Sequence, residues 1–212
     1  MIVLYTALFG DRDKLWPVER YDGIEYYAIV DRFRPDADGW DQIVVETDLS
    51  PRRAARKAKT LPHHYTALAD IWIWVDANVR ITTDPHDIIT DSDFSTFKHP
   101  VRDCLYEEAR ICLALRKGKA GNIMRQVEFY REQKMPERYG LFETRVVLRR
   151  NTPKIRLLNE YWWANIEKYS VRDQISLPYV LWSTETECEI LSGRAEGSPL
   201  GYGPYKYYDH IS

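Results

Sequence analysis

The stretch IWIWVDANVRI (residues 71–81) decides the fold. Five apolar residues, Ile71 to Val75, run without a break into Asp76, and Asn78 follows two positions on. An alternating strand would show one face to water. A continuous apolar run suits a central strand covered on both faces, as in an α/β sheet. In such sheets ligands bind beyond the carboxyl ends of the strands, and Asp76 stands at that end. A carboxylate buried there needs a cation or hydrogen-bond donors to offset its lost hydration.

Working outward, short β-branched and aromatic runs predict strands at 2–8 (IVLYTAL), 24–30 (IEYYAIV), 42–47 (QIVVET), 94–99 (FSTFKH) and 145–150 (RVVLRR). Helical signals lie between and after them. Ser50 is a candidate N-cap with Pro51 at the first helical position. Residues 102–118 put Leu105, Ala109, Cys112 and Leu113 on one face, with Gly118 as C-cap. Further helices are predicted at 122–132 and 156–169. The first half alternates strand and helix, and the second mixes helices with short strands. The pattern predicts an α/β sandwich, with a parallel or mixed central sheet flanked by helices. The chain has 212 residues, 44% of them apolar, enough for one core, so a single domain over 1–212 is expected. The Gly-, Pro- and Tyr-rich tail (196–212) reads as an irregular closing segment or lid.

Composition excludes several classes. A net charge of -2 gives no support to a nucleic-acid binder relying on bulk positive charge. No apolar run approaches the ~18 residues of a membrane span. The start, MIVLYTALFGDRDK, has no basic region and no small-residue cleavage site, so it reads as a first strand. Cys104 and Cys112 are eight positions apart on a predicted helix, about 12 Å along its axis, too far for a disulfide. Reduced thiols point to the cytoplasm, with a peripheral place at the inner membrane face as the variant. There is no P-loop, no dinucleotide fingerprint after a strand, no G-x-S-x-G elbow and no zinc-spaced cysteine pair.

Four constellations remain. Asp76 and Asn78 form D-x-N, one charge short of the D-x-D that holds Mn²⁺ or Mg²⁺ against phosphates in many sugar-nucleotide transferases. A plain turn cap is the competing role. Arg52, Arg53, Arg56, Lys57 and Lys59 precede that strand. Arg56 and Lys59, at i and i+3, share a helix face that is either solvated or a phosphate clamp. His63 and His64 follow, either structural or available to a phosphate or metal. In 97–109, Asp103, Glu107 and Glu108 suit a helix start, and His99 is the member expected to face a site. In 169–182, Arg172, Asp173 and Gln174 precede an apolar run. Ser170 or Asp173 could cap a helix there, or Asp173 and Gln174 could address a substrate hydroxyl.

These segments, in order, resemble the TOD/MUCI glycosyltransferase-like family. The likeness rests on Arg56, Lys59, Leu61, Pro62 and His63, then on Trp74, Asp76, Asp84 and Pro85. It continues through Lys98, His99, Arg102, Tyr106, Glu107 and Glu108, through FETRVVLRRNTP (142–153), and through YWWANIEKYSVRDQISLPYV (161–180). The resemblance implies a GT-A-like, Rossmann-type nucleotide-binding fold and sugar transfer from a nucleotide-sugar, a UDP-sugar first, to a hydroxyl of a glycan-type acceptor. Residues 1–100 would form the donor half and 101–212 the acceptor half. Thr6, Arg56, Lys59, His63, Asp76, Asn78 and His99 become donor-side groups. Arg172, Asp173 and Gln174 become catalytic candidates near the acceptor, leaning to a retaining reaction. Asp76, Asn78 and the late His210 become ligands for Mn²⁺ or Mg²⁺. Trp162, Trp163, Tyr205 and Tyr207 could line an acceptor groove, although packing is the plainer role for the tryptophans. Two rivals stand beside this. One is a metal-dependent hydrolase of the ceramidase kind, built from His63, His99 and Asp76. The other is an inactive nucleotide-sugar-binding module, hinted at by Asn78.

Overall fold

The computed structural model describes residues 1–192 and the backbone of 205–207. Seven strands form one sheet: β1 (Ile2–Leu8), β2 (Ile24–Val30), β3 (Asp41–Val44), β4 (Ile71–Val75), β6 (Phe94–Lys98), β7 (Phe142–Arg150) and β8 (Glu189–Ile190), in the order β3-β2-β1-β4-β7-β6-β8. The pairings β2–β3, β1–β2, β1–β4 and β6–β8 are parallel, and β7 runs antiparallel to β4 and β6. The sheet is therefore mixed and mostly parallel, as expected. Strand β5 (Val79–Ile81) pairs separately with β9 (Tyr205–Tyr207). The rest of the predicted closing segment, with His210, lies outside the described residues.

The continuous apolar run behaves as a central strand should. All five residues of β4 are buried, and Ile71 to Val75 alternate between two separate cores. Trp72 and Trp74 face the core shared with α1 (Pro51–Thr60), α2 (Leu105–Ala114), α3 (Ala120–Glu132), α4 (Pro153–Lys168) and α5 (Asp173–Ser183). Ile71, Ile73 and Val75 face a core made of strand and loop residues, among them Ile88, Val79 and Leu191. The buried helical side chains thus gather on one face of the sheet, and irregular segments cover the other. Helix α1 is the only helix between two strands of the first half. The β1–β2 and β2–β3 connections are irregular, which corrects the expected strand–helix alternation there.

Three local expectations change. The third strand ends at Val44 rather than residue 47, because it is an edge strand with no buried residue. Ser50 takes the N-cap position of α1 but its side chain makes no capping bond, and Pro51 supplies the start. Helix α2 ends on Leu115 rather than at Gly118, and Arg116 takes the left-handed conformation with φ 52°.

Candidate active site

The topology fixes where a site can form. Strand order reverses between β1 and β4, and the carboxyl end of β4 sits in that crevice. The Asp76 N–H donates to Arg145 O at 2.8 Å, extending the β7 ladder, and Val79 N donates back to Asp76 O at 2.8 Å, closing the turn into β5. The Asp76 side chain is thereby held on the helical face, where Trp74 Nε1 donates to its Oδ1 at 2.8 Å.

Lys59 reaches the same oxygen at 3.2 Å, and reaches Asp173 Oδ2 at 2.6 Å. It sits in the last turn of α1, far along the helix from the crevice, but a helical side chain leans back toward the N-terminus. Its backbone carbonyl is fixed by the Tyr5 hydroxyl at 2.7 Å and by Arg149 NH2 at 2.7 Å. Arg149 is completely buried. It also donates to Thr60 O at 3.3 Å and to Asn159 Oδ1 at 2.6 Å, and contacts the Tyr5 hydroxyl. A guanidinium on the terminal carbonyls of α1 meets the negative end of the helix dipole. Burial pushes the Tyr5 hydroxyl well above its ordinary value, keeping it a neutral donor.

Asp173 is the first residue of α5 and is 3% exposed. Its Oδ2 also accepts from Thr144 Oγ1 at 2.8 Å. Arg56 Nε lies 3.0 Å from its Oδ1, as a charge pair rather than an aligned hydrogen bond, and Arg56 NH1 lies 3.9 Å from Asp76. Burial acts to raise the Asp173 carboxyl. Arg56 and Lys59, with the Lys59 hydrogen bond and Arg172 behind them, outweigh it and hold the carboxyl well below the usual range. Burial pulls Lys59 down, and Asp173 and Asp76 restore part of that. Arg52 is lowered by partial burial and then by the positive charges of Arg12, Arg56 and Arg172. Arg56 and Lys59 therefore bracket Asp76 and Asp173, while Arg52 and Arg172, at the N-termini of α1 and α5, act on the same group of charges. Both helix ends add positive potential.

A second network braces this one. Glu108 is 3% exposed and holds Arg102 at 2.7 Å and Arg172 at 3.5 Å. It stands in the first turn of α2, as expected, and is in addition a buried counter-ion. His99 does not join the Asp76 cluster through these bonds. Its Nδ1 accepts from Arg102 N at 3.0 Å, and its Nε2 lies 3.2 Å from Arg102 NH2, so it orients Arg102. Gln174 Nε2 donates to Phe142 O at 2.9 Å and ties α5 to the start of β7. Ser170 bonds Gln126 at 2.5 Å, and the N-cap position of α5 is Arg172.

The remaining candidates fall elsewhere. His63 lies beyond the end of α1, with its ring 6.2 Å from that of Trp72 and its Nε2 2.9 Å from Glu160. It belongs to the amino half of β4, because the chain has left the helix that aims Arg56 and Lys59 at the crevice. Thr6 is buried on the sheet face opposite Tyr5 and so opposite Asp76, and its hydroxyl has no partner among the described residues. Asn78 is 7% exposed in the β4–β5 turn. Trp162 and Trp163 are core residues. Of the hydrolase trio, His63 thus lies at the amino half of β4 and Asp76 at its carboxyl end, while His99 orients Arg102. The groups missed by sequence reasoning are Thr144, Arg149 and Arg12. The first two lie within a segment that carried the resemblance, but nothing in their spacing revealed their depth.

The model of the TOD1/MUCI70, glycosyltransferase-like domain matches residues 38–191, well over half of the chain. The chain belongs to this family. Arg56, Lys59, Asp76, Thr144 and Asp173 all fall inside the match. A probable hexosyltransferase, MUCI70 of Arabidopsis thaliana, is 27% identical over 143 residues, covering 61% of this chain and 25% of the relative. The alkaline ceramidase TOD1 of the same plant is 26% identical over 220 residues, covering 84% of this chain and 48% of the relative. The chain thus spans a quarter to a half of these curated relatives. Among the described residues no helix is long and apolar enough to cross a membrane.

Proposed function

We propose that the protein transfers a sugar from a nucleotide-sugar, a UDP-sugar first, to a hydroxyl of a glycan-type acceptor, with the donor diphosphate bound at the crevice beyond β4. One observation carries this reading: Arg56 and Lys59 converge on Asp76 and Asp173 at the carboxyl end of β4. A diphosphate arriving there meets guanidiniums and two helix N-termini, and departs as an anion that they stabilise. Family membership and the name of the hexosyltransferase relative support the same reaction class.

The residues fit a resident Mn²⁺ or Mg²⁺ poorly. A hard cation asks for several oxygen ligands. Asp76 offers one carboxylate whose Oδ1 already faces Trp74, Lys59 and Arg56, and Asn78 adds no charge. The leaving-group charge is therefore assigned to the arginines and Lys59. Asp173, held ionised by Arg56 and Lys59, is a weak proton acceptor. Its role is to fix those cations, not to act as general base. The acceptor would approach the more exposed Asp76 side.

The test is calorimetric binding of UDP, GDP, CMP and ADP to wild type and Arg56→Ala, with and without Mn²⁺, beside donor-free assays of ceramide hydrolysis. Selective nucleotide binding without Mn²⁺, weakened in Arg56→Ala, is expected. Absence of nucleotide binding together with ceramide hydrolysis would overturn the transferase reading.

A further inference from the structure

Away from the crevice, His63, His64 and Glu160 bring three metal-type ligand atoms within 4.8 Å of one another. His63 Nε2 and His64 Nε2 both meet Glu160 Oε1, at 2.9 Å and 3.0 Å. Their rings stand edge to face, with centroids 4.6 Å apart, so the two nitrogens converge on one carboxylate oxygen from different directions. The histidines come from the short 3-10 turn Pro62–His64 that follows α1, and Glu160 comes from α4.

We propose that these three side chains form a binding site for a zinc-class divalent ion. Zinc takes imidazole nitrogen and carboxylate oxygen at ~2.0–2.2 Å in a tetrahedron. The ligand atoms of such a tetrahedron lie slightly over 3 Å apart, so the two histidine–carboxylate contacts need to widen by only a few tenths of an ångström, with the two nitrogens, at most 4.8 Å apart, settling to the same spacing. The His63 side chain is 11% exposed, whereas His64 and Glu160 are 44% and 48% exposed, which leaves the fourth position toward solvent for a water. The Nδ1 of His63 is buried and has no hydrogen-bond partner among the described residues, so it brings no orienting acceptor from them, and the site is weaker than a closed four-ligand one. A bound ion replaces hydrogen bonds by coordinate bonds between the end of α1 and the middle of α4. It pins the helix whose last turn carries Lys59. This site is independent of the crevice and of the transferase reading.

The experiment is titration of tag-free, full-length protein with Zn²⁺ by calorimetry and with Co²⁺ by visible absorption. Wild type, His64→Ala, Glu160→Gln and Asp76→Asn are compared, with far-UV circular dichroism as a folding control. His64 and Glu160 are half-exposed, so their variants should fold. Expected are one equivalent of ion, Co²⁺ bands of a tetrahedral nitrogen–oxygen set, affinity lowered at least about tenfold in His64→Ala and Glu160→Gln, and no change in Asp76→Asn. Binding that is absent from wild type, or equal in wild type and both ligand variants, overturns the site. Loss in Asp76→Asn alone would move the ion to the crevice and overturn it equally.

Discussion

Lys59 and Arg149 are both completely buried cations, and the backbone of one is held by the side chain of the other. Their partners differ. Lys59 is matched by two carboxylates at the carboxyl end of β4, one of them partly exposed. Arg149 is matched by two helix-end carbonyls, an amide and a hydroxyl, deep between sheet and helices. A charge balanced by charges at a sheet edge can exchange partners with an incoming anion. A charge balanced by fixed dipoles in a core cannot, and acts as a brace. Burial alone therefore does not mark a functional cation; the nature and accessibility of its partners do.

The largest effect should come from breaking the brace. Arg149→Met leaves Thr60 O and Asn159 Oδ1 without this donor and Lys59 O with the Tyr5 hydroxyl alone, and a loss of about 3–5 kcal/mol in urea unfolding is expected. A loss below about 1 kcal/mol would show that the carbonyls find other donors. Lys59→Met strands two aspartates. It should cost ~3 kcal/mol, somewhat less because Arg56 still faces both, and should abolish nucleotide binding.

Acid unfolding sharpens the contrast, since only one of the two cations has an acid partner. The folded Asp173 carboxyl titrates below its unfolded value, so its contribution is complete above the ordinary carboxylate pKa of ~4 and is lost as pH falls below it. Asp173→Asn should be less stable than wild type at neutral pH and show a shallower loss between about pH 4 and 2. Parallel acid limbs for the two proteins would contradict the assignment.

Smaller still is Arg52→Ala. The side chain keeps much of its surface in solvent despite its partial burial, so stability should move by less than about 0.5 kcal/mol while nucleotide affinity falls about tenfold, ~1.4 kcal/mol. At the bottom lie the helix caps. Thr152→Ala removes a cap bond to Ile155 N and should cost about 1 kcal/mol. Ser50→Ala removes none and should be nearly silent when both variants are compared by urea unfolding.

The central strand was legible because burial on both faces demands an unbroken apolar run, and 71–75 provides one. The pairing of Arg56 and Lys59 was legible because helix geometry puts i and i+3 together. The one-sided helical layer was not, since hydrophobic periodicity tells which stripe of a helix is buried but not which face of a sheet receives it. The depth of Arg149 was hidden because a charged residue at the end of an apolar strand looks like its solvent exit. His63 was misplaced for another reason. The resemblance put it on the donor side with Lys59, yet the chain turns out of α1 at Leu61, and the long Lys59 side chain points the other way.

Trp74 has a consequence of a different kind. Its indole N–H touches Asp76, and the Lys59 ammonium lies 5.4 Å from its ring. Indole emission shifts with the electric field along the ring, so any anion that draws Lys59 away or any cation that claims Asp76 will change its colour. Among seven tryptophans this one can be isolated by subtracting the spectrum of Trp74→Phe. The indole thus offers a label-free stopped-flow test of whether a ligand reaches the crevice.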